Sequence, residues 1–129
     1  MDKPKILIVE DNDALRSTLK EILALTLECG ITEAANGRLA IESLNKDKFD
    51  LVILDIKMPG ISGADIIKKK KELYPDTDIL VVSAWDSQSI ASEILEEGAF
   101  DYIPKPSNFN VICEKVAEIL KKKNKYLPI

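Results

Sequence analysis

Short aliphatic runs, each too brief for a helix and each followed by a segment of helical period, dictate how this chain can fold. The run at 5–10 reads KILIVE, that at 50–55 reads DLVILD and that at 78–84 reads DILVVSA. Between their ends almost every residue is Ile, Val or Leu. That composition suits strands buried on both faces better than strands with one wet side. ITEAA at 31–35 and FDYI at 100–103 are weaker runs of the same kind and bring the expected strands to five.

The intervening segments carry apolar residues at helical spacing. Asp11 to Glu28 presents Leu15, Leu19, Ile22, Leu23 and Leu27 on one face, with Asn12 or Asp13 to cap its start and Gly30 after its end. Asn36-Gly37 turns the chain into a helix bearing Leu39, Ala40, Ile41 and Leu44. A third helix starts near Ser62, turns Ile66, Ile67 and Leu73 inward, and stops before Pro75. The fourth, Ser89 to Glu97, has Ile90, Ile94 and Leu95 on one side and Gly98 to close it. Ser107 caps a fifth that bears Ile112, Val116, Ile119 and Leu120. Five strands alternating with five helices predict an α/β fold, a doubly wound parallel sheet covered on both faces. Ligands in such sheets bind outside the carboxyl ends of the strands. A length of 129 residues supports one domain, expected over 1–129 with its core at about 4–123 and a Lys-rich end after it.

Composition narrows the function. A net charge of −4 disfavours general binding to nucleic acid or to an anionic membrane. KKKNK, Lys121 to Lys125, is the local exception, and reads as a solvated last helical turn whose cations suit the helix dipole. The absence of histidine removes His-based zinc sites, Ser/His and Cys/His catalysis, and any phosphohistidine on these residues. Cys29 and Cys113 are far apart without ligand-like spacing, so idle thiols are expected rather than a disulfide. The first apolar run, ILIV, is too short for a signal peptide core or a membrane span, and a cytoplasmic protein is expected.

Asp55 raises the central chemical question, because a carboxylate at the end of a buried strand is costly unless its charge is used. The other strand ends supply company: Glu10-Asp11 after the first, Ser83 at the end of the fourth, Lys105 after the fifth. Three carboxylates on one rim repel one another and raise each other's pKa unless a cation intervenes. An all-oxygen donor set without His or Cys suits a hard ion, with Mg2+ the natural choice. Lys105 can pair with Asp55 at rest and with an added phosphoryl group later, and Ser83 can donate to a phosphoryl oxygen. Asp55 is therefore read as a nucleophile that accepts a phosphoryl group, through positioning and charge neutralisation.

These motifs resemble the receiver domain of bacterial two-component response regulators over nearly the whole chain. The resemblance rests on ILIVEDN for the acidic pair, DLVILDIKMPGISG around the acceptor, PDTDILVVSA for the hydroxyl strand and GAFDYIPKP for the lysine. It implies a flavodoxin-like sheet with strand order 2-1-3-4-5, and a signalling domain that assists its own phosphorylation and dephosphorylation rather than an enzyme. It further implies that Asp55 is phosphorylated and that Asp11 and Asp55 bind Mg2+ directly. Glu10 would hold the ion through water, and the backbone carbonyl of Lys57 would complete the protein ligands. Ser83, the backbone amide of Ala84 and Lys105 would hold the phosphoryl oxygens. Tyr102 matches the family's switch aromatic, which turns inward as the hydroxyl residue moves toward the phosphate. The remodelled surface would be that of the fourth helix, fifth strand and fifth helix, offered to a downstream protein. The expected donor is a phosphohistidine on a sensor histidine kinase or a histidine phosphotransfer protein; a homodimer is left open.

Lys57 and Trp85 depart from the commoner pattern by placing a long cation and a large ring two residues after Asp55 and Ser83 respectively. They are expected to screen the acyl phosphate from water and lengthen its life, against the alternative that both point into solvent. Two other functions compete. A haloacid dehalogenase-type phosphatase also uses an Asp nucleophile after an apolar strand, but needs a second acid two residues on, where this chain has Lys57. A receiver-like module that binds partners without phosphorylation is the other. The chain ends at YLPI without room for a DNA-binding domain, so a stand-alone regulator and the receiver piece of a longer protein are both expected readings.

Overall fold

The computed structural model describes residues 2–56, 63–84, 88–105 and 108–129; the side chains at 63, 64, 71 and 88–90 lie outside that description. The elements run β1 (Lys5–Val9), α1 (Asp13–Thr26), β2 (Gly30–Ala34), α2 (Gly37–Lys46), β3 (Leu51–Leu54), α3 (Gly63–Leu73), β4 (Asp78–Ser83), α4 (Gln88–Glu97), β5 (Asp101–Pro104) and α5 (Phe109–Lys122). All strand pairs are parallel and the order is β2-β1-β3-β4-β5, the expected flavodoxin-like topology.

The pleat explains why the central strands are aliphatic throughout. Ile6, Ile8, Leu51, Ile53, Leu80 and Val82 face α1 and α5, where Leu19, Leu23, Ile112 and Val116 meet them. Their neighbours Leu7, Val9, Val52, Leu54, Ile79 and Val81 face α2, α3 and α4, against Ala40, Leu44, Ile66, Ile67 and Ile94. Each strand thus serves two cores. As expected, Ile112, Val116, Ile119 and Leu120 are all buried on α5, and Gly98 ends α4 at φ 120°, a conformation that favours glycine.

Several local expectations are corrected. Leu73 is 59% exposed, because Tyr74, next in the chain, takes the inward place at the end of α3 and packs on the core. Leu95 is 42% exposed: one residue turns a helix by 100°, and Ile94 occupies the buried position. Helix α1 stops at Thr26 without a glycine. Gly30 instead opens β2, donating to the Pro4 carbonyl at 2.9 Å. What replaces the last helical turn is pairing with the C-terminal residues: Leu27 bridges Pro128 antiparallel, Glu28 N–H donates to Leu127 O at 2.8 Å, and Ile129 N–H to Thr26 O at 3.1 Å. Asn108, not Ser107, caps α5, its Oδ1 accepting from the Asn110 amide; Ser107 itself lies outside the described residues.

The Lys-rich end is more than a solvated turn. Lys123 Nζ donates to the carbonyls of Asp50 (2.8 Å) and Asp76 and lies 3.3 Å from the Asp78 carboxylate. Lys125 pairs with Asp50 at 2.8 Å, while Lys121 and Lys122 lie over the rings of Tyr126 and Phe100. These contacts fasten the end of α5 to the starts of β3 and β4. Both cysteines are free and half-buried, and burial pushes both thiols up. Among the described residues no helix is long and apolar enough to cross a membrane.

Candidate functional site

The register of the three inner strands puts the polar residues side by side. Val9 pairs with Leu54 and Leu54 with Val81, so the next residues, Glu10 and Asp55, leave adjacent strands at the same level. Backbone bonds carry the sheet pattern one step further: Asp55 N–H donates to Val9 O at 3.0 Å, Glu10 N–H to Ala34 O at 3.1 Å, and Lys105 N–H to Ser83 O at 2.6 Å. Glu10, Asp11, Asp55, Ser83 and Lys105 thereby meet on one rim at the carboxyl ends of the strands, where such sheets bind ligands.

Glu10, Asp11 and Asp55 each present a carboxylate oxygen within 4.8 Å of the others. Lys105 Nζ spans two of them, donating to Asp55 Oδ2 at 3.1 Å and to Glu10 Oε1. Glu10 is held at every polar atom. Its Oε2 accepts from the Asn12 amide at 3.2 Å, and its carbonyl accepts from Arg16 Nη1 at 2.7 Å. Asn12, the cap of α1, accepts from Leu15 N–H at 3.0 Å and so sets the turn that carries Asp11. Glu10 and Asp55 are buried, Asp11 exposed.

The floor of the site is apolar. A cavity of about 420 Å3 opens between α1 and α5, walled by Leu15, Leu19, Ile53, Val82, Phe109 and Ile112 and touching Glu10, Asp55 and Lys105. Burial against such walls raises the Glu10 carboxyl above its usual range, more than Lys105 and the Asn12 amide lower it. Burial alone would lower Lys105. Its hydrogen bonds and charge interactions with Glu10 and Asp55 outweigh that and hold the ammonium above its ordinary value.

With Lys105 in place the cluster carries two net negative charges, from three acids and one ammonium. Oxygen donors only, close together, with a twofold charge deficit: this donor set fits a hard divalent cation such as Mg2+. Ser83 adds a different clue. Its Oγ is completely buried and has no hydrogen-bond partner among the described residues. A buried hydroxyl without a partner is uncommon and points to a use that the resting protein does not satisfy.

Ala84 follows Ser83 at the cavity and is exposed. Tyr102 is half-buried on β5 and packs on the core shared with α4, outside the acidic rim. Lys57 and Trp85 lie outside the described residues. Arg16 is a participant the sequence reading did not single out. Its signal was an arginine between Leu15 and Leu19 on the buried side of α1, five residues after Asp11.

A doubly wound sheet with acids after β1 and β3, a hydroxyl ending β4 and a lysine after β5 defines a class of phosphoryl-accepting signalling domains. The pattern of the response regulator receiver domain matches residues 6–117, and the chain belongs to that family. It is 35% identical to the chemotaxis protein CheY of Thermotoga maritima, over 91% of this chain and 98% of that protein. It is 33% identical to sporulation initiation phosphotransferase F of Bacillus subtilis, over 100% of this chain and 98% of that one. A solved CheY-like response regulator receiver domain protein from Methanospirillum hungatei superposes with a TM-score of 0.88 at 30% identity, covering 96% of this chain and 98% of the other. The chain spans less than a third of the length of some longer curated relatives that it matches. Receiver domains of two-component response regulators are signalling domains, not enzymes in themselves, and generally bind Mg2+.

Proposed function

We propose that Asp55 is the phosphoacceptor of this receiver, and that a carboxylate oxygen of Asp55 attacks the phosphorus of a phosphohistidine. The P–O bond forms as the P–N bond breaks, and the imidazole leaves with the electron pair. None of the 129 residues is histidine, so the donor imidazole lies outside them, on a sensor histidine kinase or a histidine phosphotransfer protein. The observation that carries the reading is the ammonium of Lys105 spanning Glu10 and Asp55 inside a cluster of three carboxylates at the strand ends.

In this reading Asp11, Asp55 and the Lys57 carbonyl would hold Mg2+, and Glu10 would hold it through water. The bound ion supplies charge neutralisation to the phosphoryl oxygens. Lys105, held charged by its neighbours, pairs with the Asp55 carboxylate at rest and follows the phosphoryl group once it arrives. The orphan Ser83 hydroxyl and the Ala84 amide supply further donors. Tyr102, partly buried on β5 against the core that includes Ile94 of α4, reports the change to the α4–β5–α5 surface, where a downstream protein binds. Lys57 and Trp85 screen the acyl phosphate, a role resting on sequence position alone. The unit is one domain working in the cytoplasm.

Intact-mass spectrometry after incubation with Mg2+ and acetyl phosphate, beside Asp55→Ala, tests this. One added phosphoryl mass in the wild type alone is expected. Equal labelling of the variant would overturn Asp55 as acceptor, and no labelling with acetyl phosphate or a phosphorylated histidine donor would favour a phosphorylation-independent module.

A further inference from the structure

We propose that Arg16 is the positioning residue of the acidic metal site. It acts not by touching the ion but by holding the main chain on which Glu10 and Asp11 stand. The inference rests on the reading of Glu10, Asp11 and Asp55 as the Mg2+ cluster.

Arg16 makes three contacts in three directions. Nη1 donates to the Glu10 carbonyl at 2.7 Å, Nη2 donates to Asp13 Oδ1 at 2.6 Å, and Nε lies 3.4 Å from Glu33 Oε1 on β2. Its side chain is only 15% exposed. The Glu10 carbonyl lies one residue beyond the end of β1, before the chain turns into α1. Asp55 N–H already bonds Val9, one residue earlier. The guanidinium therefore takes over where the strand ladder ends, joining the exit of β1, the first turn of α1 and the edge strand β2 at a single group. The planar fork donates to two of these partners and holds its charge within ion-pair reach of the third; an ammonium is a point charge on a flexible stem.

The direction of the peptide at Glu10 decides where both acids point. With its amide bonded to Ala34, its carbonyl to Arg16 and its carboxylate to Asn12 and Lys105, Glu10 has no freedom left. Asp11 inherits that direction. Outer groups of this kind orient metal ligands, and their loss typically weakens metal affinity about 10–100-fold.

Simple electrostatics predicts the opposite sign. Arg16 is a cation beside a cation site, and through charge alone its removal would tighten Mg2+ binding. The sign of the change decides between the two.

Mg2+ affinity is measured calorimetrically on wild type, Arg16→Gln, Arg16→Lys and Lys20→Ala, with folding checked by circular dichroism. Lys20 shares the Glu33 carboxylate at 3.4 Å and has no hydrogen bond or ion pair to the rim among the described residues, so its loss controls for the surface pair. Positioning predicts that Arg16→Gln binds Mg2+ about 10-fold more weakly or worse. Arg16→Lys should fall between that variant and wild type, and Lys20→Ala should match wild type. A merely structural role would lower the melting temperature and leave the affinity of the folded molecules unchanged. Arg16→Gln binding as tightly as wild type, or more tightly, overturns the proposal. If Arg16→Gln does not fold, Arg16→Lys decides, because it keeps the charge and loses the fork: affinity equal to wild type overturns positioning, severalfold weakening supports it. Wild type that binds no Mg2+ would remove the metal reading itself, and the positioning role with it.

Discussion

Replacing Ser83 by alanine should make the unmodified protein more stable. The Ser83 Oγ is wholly buried at the end of β4 and finds no partner among the described residues. A buried unsatisfied hydroxyl costs about 1–3 kcal/mol. Against that, the oxygen forfeits a few dispersion contacts, each on the order of 0.1–0.2 kcal/mol. The net expectation is a gain of about 1 kcal/mol. With an unfolding entropy of about 2.1 cal/mol/K per residue, that raises Tm by roughly 4 °C for a chain of this length. At a urea m-value of about 2 kcal/mol/M, the midpoint rises by about 0.5 M. The assay is urea unfolding at pH 7.5 without Mg2+, followed by circular dichroism. The order should reverse when Mg2+ and beryllofluoride are added as a phosphoryl mimic: wild type should then gain more stability than Ser83→Ala, because the hydroxyl acquires an acceptor. A midpoint that falls in the unmodified variant would show that the hydroxyl is satisfied at rest. Equal stabilisation of both proteins by the mimic would refute Ser83 as a hydrogen-bond donor to the phosphoryl group.

Lys105→Met should destabilise the metal-free protein at pH 7.5 by about 2 kcal/mol, below the 3–5 kcal/mol of a fully buried pair because Lys105 is partly exposed. The deficit should shrink as pH falls. Burial already raises the folded pKa of Glu10, and without the ammonium it rises further, so a folded-state penalty present at high pH fades as the carboxyl protonates. Urea midpoints at pH 7.5 and 5.5 check this, and a deficit that grows on acidification would contradict it. Lys123→Met strips two backbone carbonyls of a charged donor at the opposite end of the sheet and should cost about 2 kcal/mol, leaving Mg2+ affinity unchanged. Urea unfolding and calorimetry together test that separation.

What could be read from the sequence was decided locally or by the symmetry of the sheet. The run Leu51–Leu54 is aliphatic because both of its faces are covered, and Asp55 stands out against it for the same reason. Strand ends in a parallel sheet share one rim, so Glu10, Asp55, Ser83 and Lys105 could be brought together without coordinates. What could not be read depended on distant chain. Nothing near Thr26 announces that Leu127–Ile129 will end α1 there. Helical period places Leu73 on the inner face of α3 but does not say that the neighbouring Tyr74 will fill that place. Ser107 and Asn108 are equally good caps by chemistry, and only the chain's path selects Asn108. Lys123 and Arg16 were missed for one reason: a long cation carries no local mark of the carbonyl it will reach.

The two polar groups that look least comfortable at rest also explain how the site can respond to a new charge. Lys105 divides its donors between Glu10 and Asp55, and burial pushes the Glu10 carboxyl upward while both acids hold the ammonium charged. A phosphoryl group on Asp55, in the proposed reading, offers Lys105 a stronger and more highly charged acceptor in place of the one it already holds on that residue. It also offers Ser83 an acceptor that it lacks among the described residues. Both gains exist only in the modified state, and neither requires breaking a backbone bond of the sheet. A ligand shifts a two-state equilibrium only by what it binds differently in the two states. An orphan hydroxyl on β4 and a shared ammonium after β5 are two such differences. They stand at the ends of β4 and β5, the two strands whose Val81 and Tyr102 pack on the core that includes Ile94 of α4.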